Sequence, residues 1–236
     1  MHRFDAILFD ATGTLFYPYP SVGDIYAWSG RKFGLEVSGE RLNAAFGEVW
    51  RERAQKAFGV GSRFGTSEAA EREWWRTFVG AVFGRCGASC PDECFDDLYA
   101  AFARPEAWRV FPEVEGVLLR LSAEGYVLGI VSNFDSRLKG ICEGLELLRH
   151  VKFVLISSVF GVEKPDPRIF LEAVRLAGTT PARALYVGDD YRFDIEGARA
   201  AGLRAAHLRR REAAGEGEVS TLTELLGILT CVKRET

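Results

Sequence analysis

The sequence predicts an α/β fold, in which a parallel sheet is flanked by helices and an all-helical block is inserted near its start. Three observations carry that prediction. First, short apolar runs are separated by helical stretches, as buried parallel strands are; they are Ala6-Ile7-Leu8-Phe9, Tyr126 to Val131, Phe153-Val154-Leu155-Ile156 and Ala184 to Gly188. Second, polar groups follow these runs. Asp10, Ser132 and the pair Asp189-Asp190 come directly after them, and Lys164 sits in the loop after the third. Third, strand signals vanish from about Ser21 to Arg104, where the pattern is helical. Ligands of open α/β sheets bind at the carboxyl ends of the strands. Four distant segments therefore deliver polar groups to one sheet edge.

The elements follow in order. The first strand ends at Asp10, and Gly13 allows a tight turn before Thr14-Leu15-Phe16 runs on to Pro18 and Pro20. In the inserted block, Ser38 is an N-cap for a helix over Glu40 to Phe58. Ser67 and Glu68 open a second helix through Trp74, Trp75, Phe78 and Phe83, and Asp92 to Phe102 forms a third. From Phe111 strand and helix alternate again. Pro112 to Glu124 is a helix feeding the strand that ends at Ser132, and Asp135 to Leu148 is helical. Asp166 as N-cap and Pro167 at the first helical position start a helix that reaches about Ala177 and stops at Gly178. Asp194 to Ala201 is helical, and Leu203 to Leu208 is a strand. Thr221 and Glu224 fit a capping box for a last helix, Leu222 to Leu229. Ala213 to Glu218 reads as the one linker. The expected division is a core of residues 1–16 and 109–236, with a helical unit over 17–108.

Bulk properties narrow the function. With 236 residues and 47% hydrophobic side chains, the chain has ample material for a core. A net charge of −3 offers no nucleic-acid footprint, and Arg209-Arg210-Arg211, followed by Glu212, reads as a solvated loop. There is no secretory pattern at the start and no apolar stretch that would span a bilayer, so a soluble, cytoplasmic protein without membrane association is expected. Cys86, Cys90 and Cys94 resemble metal spacing, but no histidine lies nearby, and they read as reduced structural thiols. Monomer and homodimer are both left open.

The chemistry rests on the strand-end residues in combination. Asp10, in Asp10-Ala11-Thr12-Gly13-Thr14, suits a nucleophile or a metal ligand, or a turn aspartate. Ser132-Asn133 offers a hydroxyl and backbone N–H groups to a phosphate oxygen, or an N-cap. Lys164 is a cation for phosphate, or an exposed loop lysine. Asp189, Asp190 and Asp194 repel one another unless a cation sits among them, and Mg²⁺ is the natural one. All four signals in this order, at four strand exits, make an active site.

These motifs resemble those of the haloacid dehalogenase (HAD) superfamily. Asp10-Ala11-Thr12-Gly13-Thr14, Ser132, Lys164, and Gly188-Asp189-Asp190 with Asp194 match its four motifs, and the helical block matches its C1 cap. More narrowly, Ile130 to Asp135 and Lys164 to Phe170 resemble the group of HAD-like hydrolase domain-containing protein 3. The resemblance implies a Rossmann-like parallel-sheet HAD core with an inserted all-helical C1 cap. It also implies an Mg²⁺-dependent hydrolase that cleaves a small phosphorylated metabolite. Asp10 would be the nucleophile and form an aspartyl-phosphate. Asp10, the Thr12 carbonyl and Asp189 would hold Mg²⁺, and Thr14 would help fix the loop. Thr14, Ser132, Asn133 and Lys164 would hold the phosphoryl group, and Asp190 or Asp194 would position Lys164.

One departure stands out. The position two after the nucleophile, an aspartate acid/base in typical HAD phosphatases, is Thr12. Its hydroxyl does not change protonation near neutral pH, so slow turnover is expected. Haloacid dehalogenases also lack that aspartate, which makes dehalogenation one alternative; a catalytically weak fold with a binding role is another. The acidic pair favours phosphoryl chemistry, because it would repel a carboxylate substrate. For substrate choice the insertion offers Arg51, Arg53, Arg72 and Arg76 with Phe64, Trp74 and Trp75, although aromatics at this spacing read first as core and arginines as solvated.

Overall fold

The structure is a computed structural model and describes residues 4–56, 65–210 and 218–231. The described residues divide into two compact units. One comprises 4–17, 65–67, 110–210 and 218–231, and the other 18–56 and 68–109.

The first unit is built on a six-stranded parallel sheet. Its strands are β1 (Ala6–Phe9), β4 (Val127–Ser132), β5 (Phe153–Ile156), β6 (Ala184–Gly188), β7 (Arg204–Leu208) and β8 (Glu218–Val219). The spatial order is β5-β4-β1-β6-β7-β8. β1 lies between β4 and β6, with Phe9 opposite Ile130 on one side and Val187 on the other. Every residue of β1 and β6 is buried, which explains why both read as unbroken apolar runs. The chain leaves β1, builds outward through β4 and β5, then returns across β1 to β6. That reversal puts a topological switch point at the carboxyl end of β1.

Helices α5 (Val114–Ala123), α6 (Arg137–Gly144), α7 (Ser157–Phe160), α8 (Pro167–Ala177), α9 (Gly197–Ala200) and α10 (Leu222–Cys231) complete this unit. The Asp166 carboxylate accepts from Arg168 N–H to start α8, and Gly178, at φ 76°, ends it. Ile169, Phe170, Ala173 and Val174 of α8 pack on Leu8, Val131 and Tyr186 of the sheet. Full burial of an Ile, Phe or Val side chain contributes about 1.5–3 kcal/mol. At α10 the capping box works one residue earlier than expected, since the Glu224 carboxylate accepts from Ser220 N–H at 2.9 Å.

The second unit is helical. It contains α1 (Val22–Arg31), α2 (Gly39–Lys56), α3 (Glu68–Arg85) and α4 (Asp92–Ala101). Tyr26, Leu42, Phe78, Val82, Phe83, Cys94 and Leu98 form its core. Two short strands, β2 (Phe16–Pro18) and β3 (Trp108–Val110), form a separate two-stranded sheet.

Some expectations shift. Residues 65–67 belong with the sheet unit, because Gly65 bridges Val162 and Thr66 N–H donates to Gly161 O. The helix read from Asp135 to Leu148 ends at Gly144, and a 3₁₀ turn at Leu147–Arg149 follows. The helix read from Asp194 begins instead as a π-helical turn over Tyr191–Glu196, which Asp190 caps. Phe58, Phe64, Arg211, Glu212 and most of the stretch read as a linker lie outside the described residues; Glu218 opens β8.

Candidate active site

The residues expected to carry the chemistry lie in the sheet unit, gathered about the carboxyl ends of its strands. Asp10 follows β1, its N–H donates to Val187 O, and it is 7% exposed. Ser132 closes β4 and is buried. Asp189 follows β6. Lys164 reaches the same place from the loop between α7 and α8 and is 2% exposed.

Lys164 organises the centre. Its Nζ donates to Asp10 Oδ1 and Asp194 Oδ1, both at 2.6 Å, and to the Tyr186 hydroxyl at 3.1 Å. An ammonium has three donors, and here each has an oxygen. The Tyr186 hydroxyl in turn donates to Val131 O at 2.9 Å. Burial alone would push the Lys164 ammonium down. Asp10 and Asp194 outweigh it and hold the pKa well above the ordinary lysine range. Burial pushes the Asp10 carboxyl up to about 6, with Lys164 opposing the rise and Asp194 adding to it.

Asp189 completes an acidic cluster. One carboxylate oxygen from each of Asp10, Asp189 and Asp194 lies within 4.8 Å of the others. Asp189 opens to solvent on one side, yet its carboxyl is pressed upward. The protein packed around it is the first cause, the negative charge of Asp10 and Asp194 the next, and Lys164 opposes. Three carboxylates facing one ammonium leave net negative charge, and oxygen ligands in this density suit a hard divalent cation. A second observation agrees. The Thr12 hydroxyl, two residues after Asp10, is buried without a hydrogen-bond partner among the described residues, an orphaned polar atom that a bound polar group would satisfy.

Two glycines make the crowding possible. Gly13 has φ +87°, and a Cβ there would lie 2.3 Å from Asp189 Oδ2. A Cβ on Gly188 would lie 2.3 Å from Asp194 Oδ2.

The remaining expected residues take distinct places. The Thr14 hydroxyl points to Asp189 Oδ1 at 3.4 Å. Asn133 commits its amide to the backbone of Lys164: Nδ2 donates to Lys164 O at 2.9 Å, and Oδ1 accepts from Lys164 N–H at 2.7 Å. Of the two acids considered for positioning Lys164, Asp194 touches it. Asp190 accepts from Arg192 and Phe193 N–H groups, as the cap of the π turn.

Two contributors escaped the sequence reading. Tyr186 read only as strand, and nothing local distinguishes it. Arg210 read as solvated, yet its side chain is 13% exposed and donates to Gly13 O, Thr14 O and Glu113. Its position just past the end of β7, at the sheet edge where ligands bind, was the available signal.

Residues 4–202 match the haloacid dehalogenase-like hydrolase family. The chain belongs to this family and is a hydrolase of the HAD superfamily. It is 34% identical over 209 residues to haloacid dehalogenase-like hydrolase domain-containing protein 3 of Danio rerio, covering 87% of this chain and 85% of the relative. It is 29% identical over 219 residues to the phosphoserine phosphatase of Thermus thermophilus, covering 86% and 88%. Among solved structures, a HAD phosphatase from Thermococcus onnurineus matches with TM-score 0.66 and 26% identity, over 96% of this chain and 98% of that one. Two more share the fold. The HAD-hydrolase YfnB of Bacillus subtilis, bound to magnesium, has TM-score 0.77 at 19% identity, over 97% and 99% of the chains. The L-2-haloacid dehalogenase of Xanthobacter autotrophicus has TM-score 0.74 at 20% identity, over 96% and 98%. No described helix is long and apolar enough to cross a membrane.

In the helical unit, Trp75 packs on the core, and Arg72 and Arg76 pair with Asp96 and Asp92. The exposed Arg51 donates to Gly47 O. Phe64 and the Arg53 side chain lie outside the described residues. Cys86, Cys90 and Cys94 are free thiols.

Proposed function

We propose that this hydrolase is an Mg²⁺-dependent phosphatase of a small phosphorylated metabolite, acting through an aspartyl-phosphate on Asp10. The observation that carries the reading is Lys164, fixed between Asp10 and Asp194 beside the carboxylate of Asp189. A buried nucleophilic carboxylate approaches an anionic phosphoryl group only where cations offset the repulsion. Lys164 is one such cation. Asp10, the Thr12 carbonyl and Asp189 would hold Mg²⁺ as the second, and when bound it would neutralise charge on the transferring group.

The chain's own residues do the rest. With Asp10 Oδ1 bonded to Lys164, Oδ2 attacks phosphorus while the bond from phosphorus to the leaving oxygen breaks. Ser132, at the end of β4, receives the phosphoryl oxygens. Asn133 and Tyr186 keep Lys164 in place. Water then attacks phosphorus and loses a proton to solvent, the bond to Asp10 breaks, inorganic phosphate is released and the Asp10 carboxylate is regenerated. Thr12 supplies no proton to the leaving oxygen, so solvent must, and substrates with good leaving groups are favoured.

The acidic cluster favours this reading over dehalogenation, whose carboxylate substrates it would repel. The test is a panel of alkyl, aryl and acyl phosphates with and without Mg²⁺. Mg²⁺-dependent phosphate release that Asp10→Asn abolishes supports the reading. Metal-independent halide release from a 2-haloacid, with no phosphate turnover, would replace it. Mg²⁺ should also raise the melting temperature by mass action, and Asp189→Ala should remove that rise.

A further inference from the structure

We propose that Arg210 is a positioning residue that shapes the backbone of the 10–14 loop for divalent-cation binding. The inference rests on the reading above, in which the Thr12 carbonyl is a metal ligand. The loop after β1 turns on Ala11 O, which accepts from Thr14, Leu15 and Phe16 N–H groups. Within it, Gly13, at φ +87°, joins two peptide planes; its own N–H donates to Phe16 O at 2.8 Å, and Thr14 N–H donates to Ala11 O. One plane carries the Thr12 carbonyl and the other the Gly13 carbonyl.

Arg210 holds the second plane and the one after it. Nε donates to Gly13 O at 3.1 Å and Nη2 to Thr14 O at 2.6 Å. The guanidinium is itself held, because Nη1 donates to Glu113 Oε1 at 2.6 Å and the group lies 3.5 Å from the centroid of the Phe111 ring. Phe111 N–H donates back to Leu15 O. Burial works against a charged Glu113, but its bond to Arg210 prevails and holds its carboxyl below the usual range. A planar fork reaches two carbonyls and a carboxylate at once; a lysine ammonium, as a single point, does not reproduce that geometry. Arg210 touches none of the three acids of the cluster among the hydrogen bonds described. Its effect on the site passes through the loop.

The experiment compares the parent with Arg210→Met, Arg210→Lys and Glu113→Gln. Mg²⁺ titrations are followed by melting temperature, and by kcat and KM for an aryl phosphate at each Mg²⁺ concentration. Arg210→Met should fold and need about tenfold more Mg²⁺ for half-saturation, as expected when a support of a metal ligand is lost. KM at saturating Mg²⁺ should stay near the parent value and kcat should recover. Arg210→Lys should restore little, and Glu113→Gln should shift Mg²⁺ dependence in the same direction by a smaller factor. A folded Arg210→Met with the parent's Mg²⁺ dependence overturns the proposal, as does a loss of kcat that Mg²⁺ does not recover. If the Arg210 variants fail to fold, an unshifted Glu113→Gln overturns it. A parent that is folded but indifferent to Mg²⁺ sinks the metal reading itself, a result distinguishable from the others.

Discussion

Replacing Lys164 with methionine should unbalance the centre of the sheet unit. The parent ammonium bonds two buried carboxylates at 2.6 Å each. Methionine fills similar space but leaves Asp10 and Asp194 facing each other with oxygens within 4.8 Å. At an effective dielectric of about 20, that repulsion alone is worth roughly 3.5 kcal/mol. It agrees with the about 3–5 kcal/mol lost when one partner of a buried ion pair is removed. In urea, without divalent cations and at pH 8, the midpoint should fall by about 1–2 M. The five tryptophans, at 28, 50, 74, 75 and 108, all lie in the helical unit, so unfolding should be followed by far-ultraviolet circular dichroism and by hydrogen exchange of β1 amides. The sign of the pH dependence follows from Asp10. Its carboxyl stands at about 6 with Lys164 present and must rise further without it. A carboxyl whose pKa is higher folded than unfolded destabilises the fold when ionised, and protonation relieves this. The penalty should therefore shrink as pH falls from 8 towards 5. Adding Asp194→Asn to the variant should recover more than half of the loss at pH 8. A Lys164→Met protein within about 1 kcal/mol of the parent at pH 8, or one whose penalty grows on acidification, would refute the electrostatic account.

Further outcomes are expected. Thr12→Asp should raise phosphatase activity most for alkyl phosphates, by supplying the acid for the leaving oxygen; a folded, Mg²⁺-binding variant that is no faster on any phosphate refutes the role given to Thr12. Gly13→Ala should lose about 1–3 kcal/mol from its positive φ and also lose the Mg²⁺-dependent rise in melting temperature, since the new Cβ meets Asp189 at 2.3 Å. An unchanged Mg²⁺ response would show that Asp189 has room to move. Burial pushes the Cys142 thiol up to about 12, so a thiol reagent at pH 8 should leave it unmodified until urea is added, as peptide mapping would show.

Much of the architecture was legible in the sequence because its signals are local. β1, β5 and β6 have the bounds their apolar runs mark; β1 and β6 are buried on both faces, and a strand so buried has no polar alternation to obscure it. α8 begins and ends where Asp166, Pro167 and Gly178 place it, because capping satisfies backbone groups within one turn. The candidate site was legible to the same depth: residues next to strand ends must fall at one edge of a parallel sheet. What each residue does there was decided by contacts between distant segments. Asp190 and Asp194 are chemically alike in sequence, but the π turn directs one to backbone N–H groups and the other to Lys164. Asn133 stands next to Ser132, yet its amide is held by a loop 31 residues away. Arg210 lies 197 residues from the carbonyl of Gly13 that it holds. Local free energies choose helix, strand and turn, and so they are written in neighbouring residues. The assignment of each buried donor to an acceptor depends on which segments the sheet order brings together, and that exists only in the folded chain.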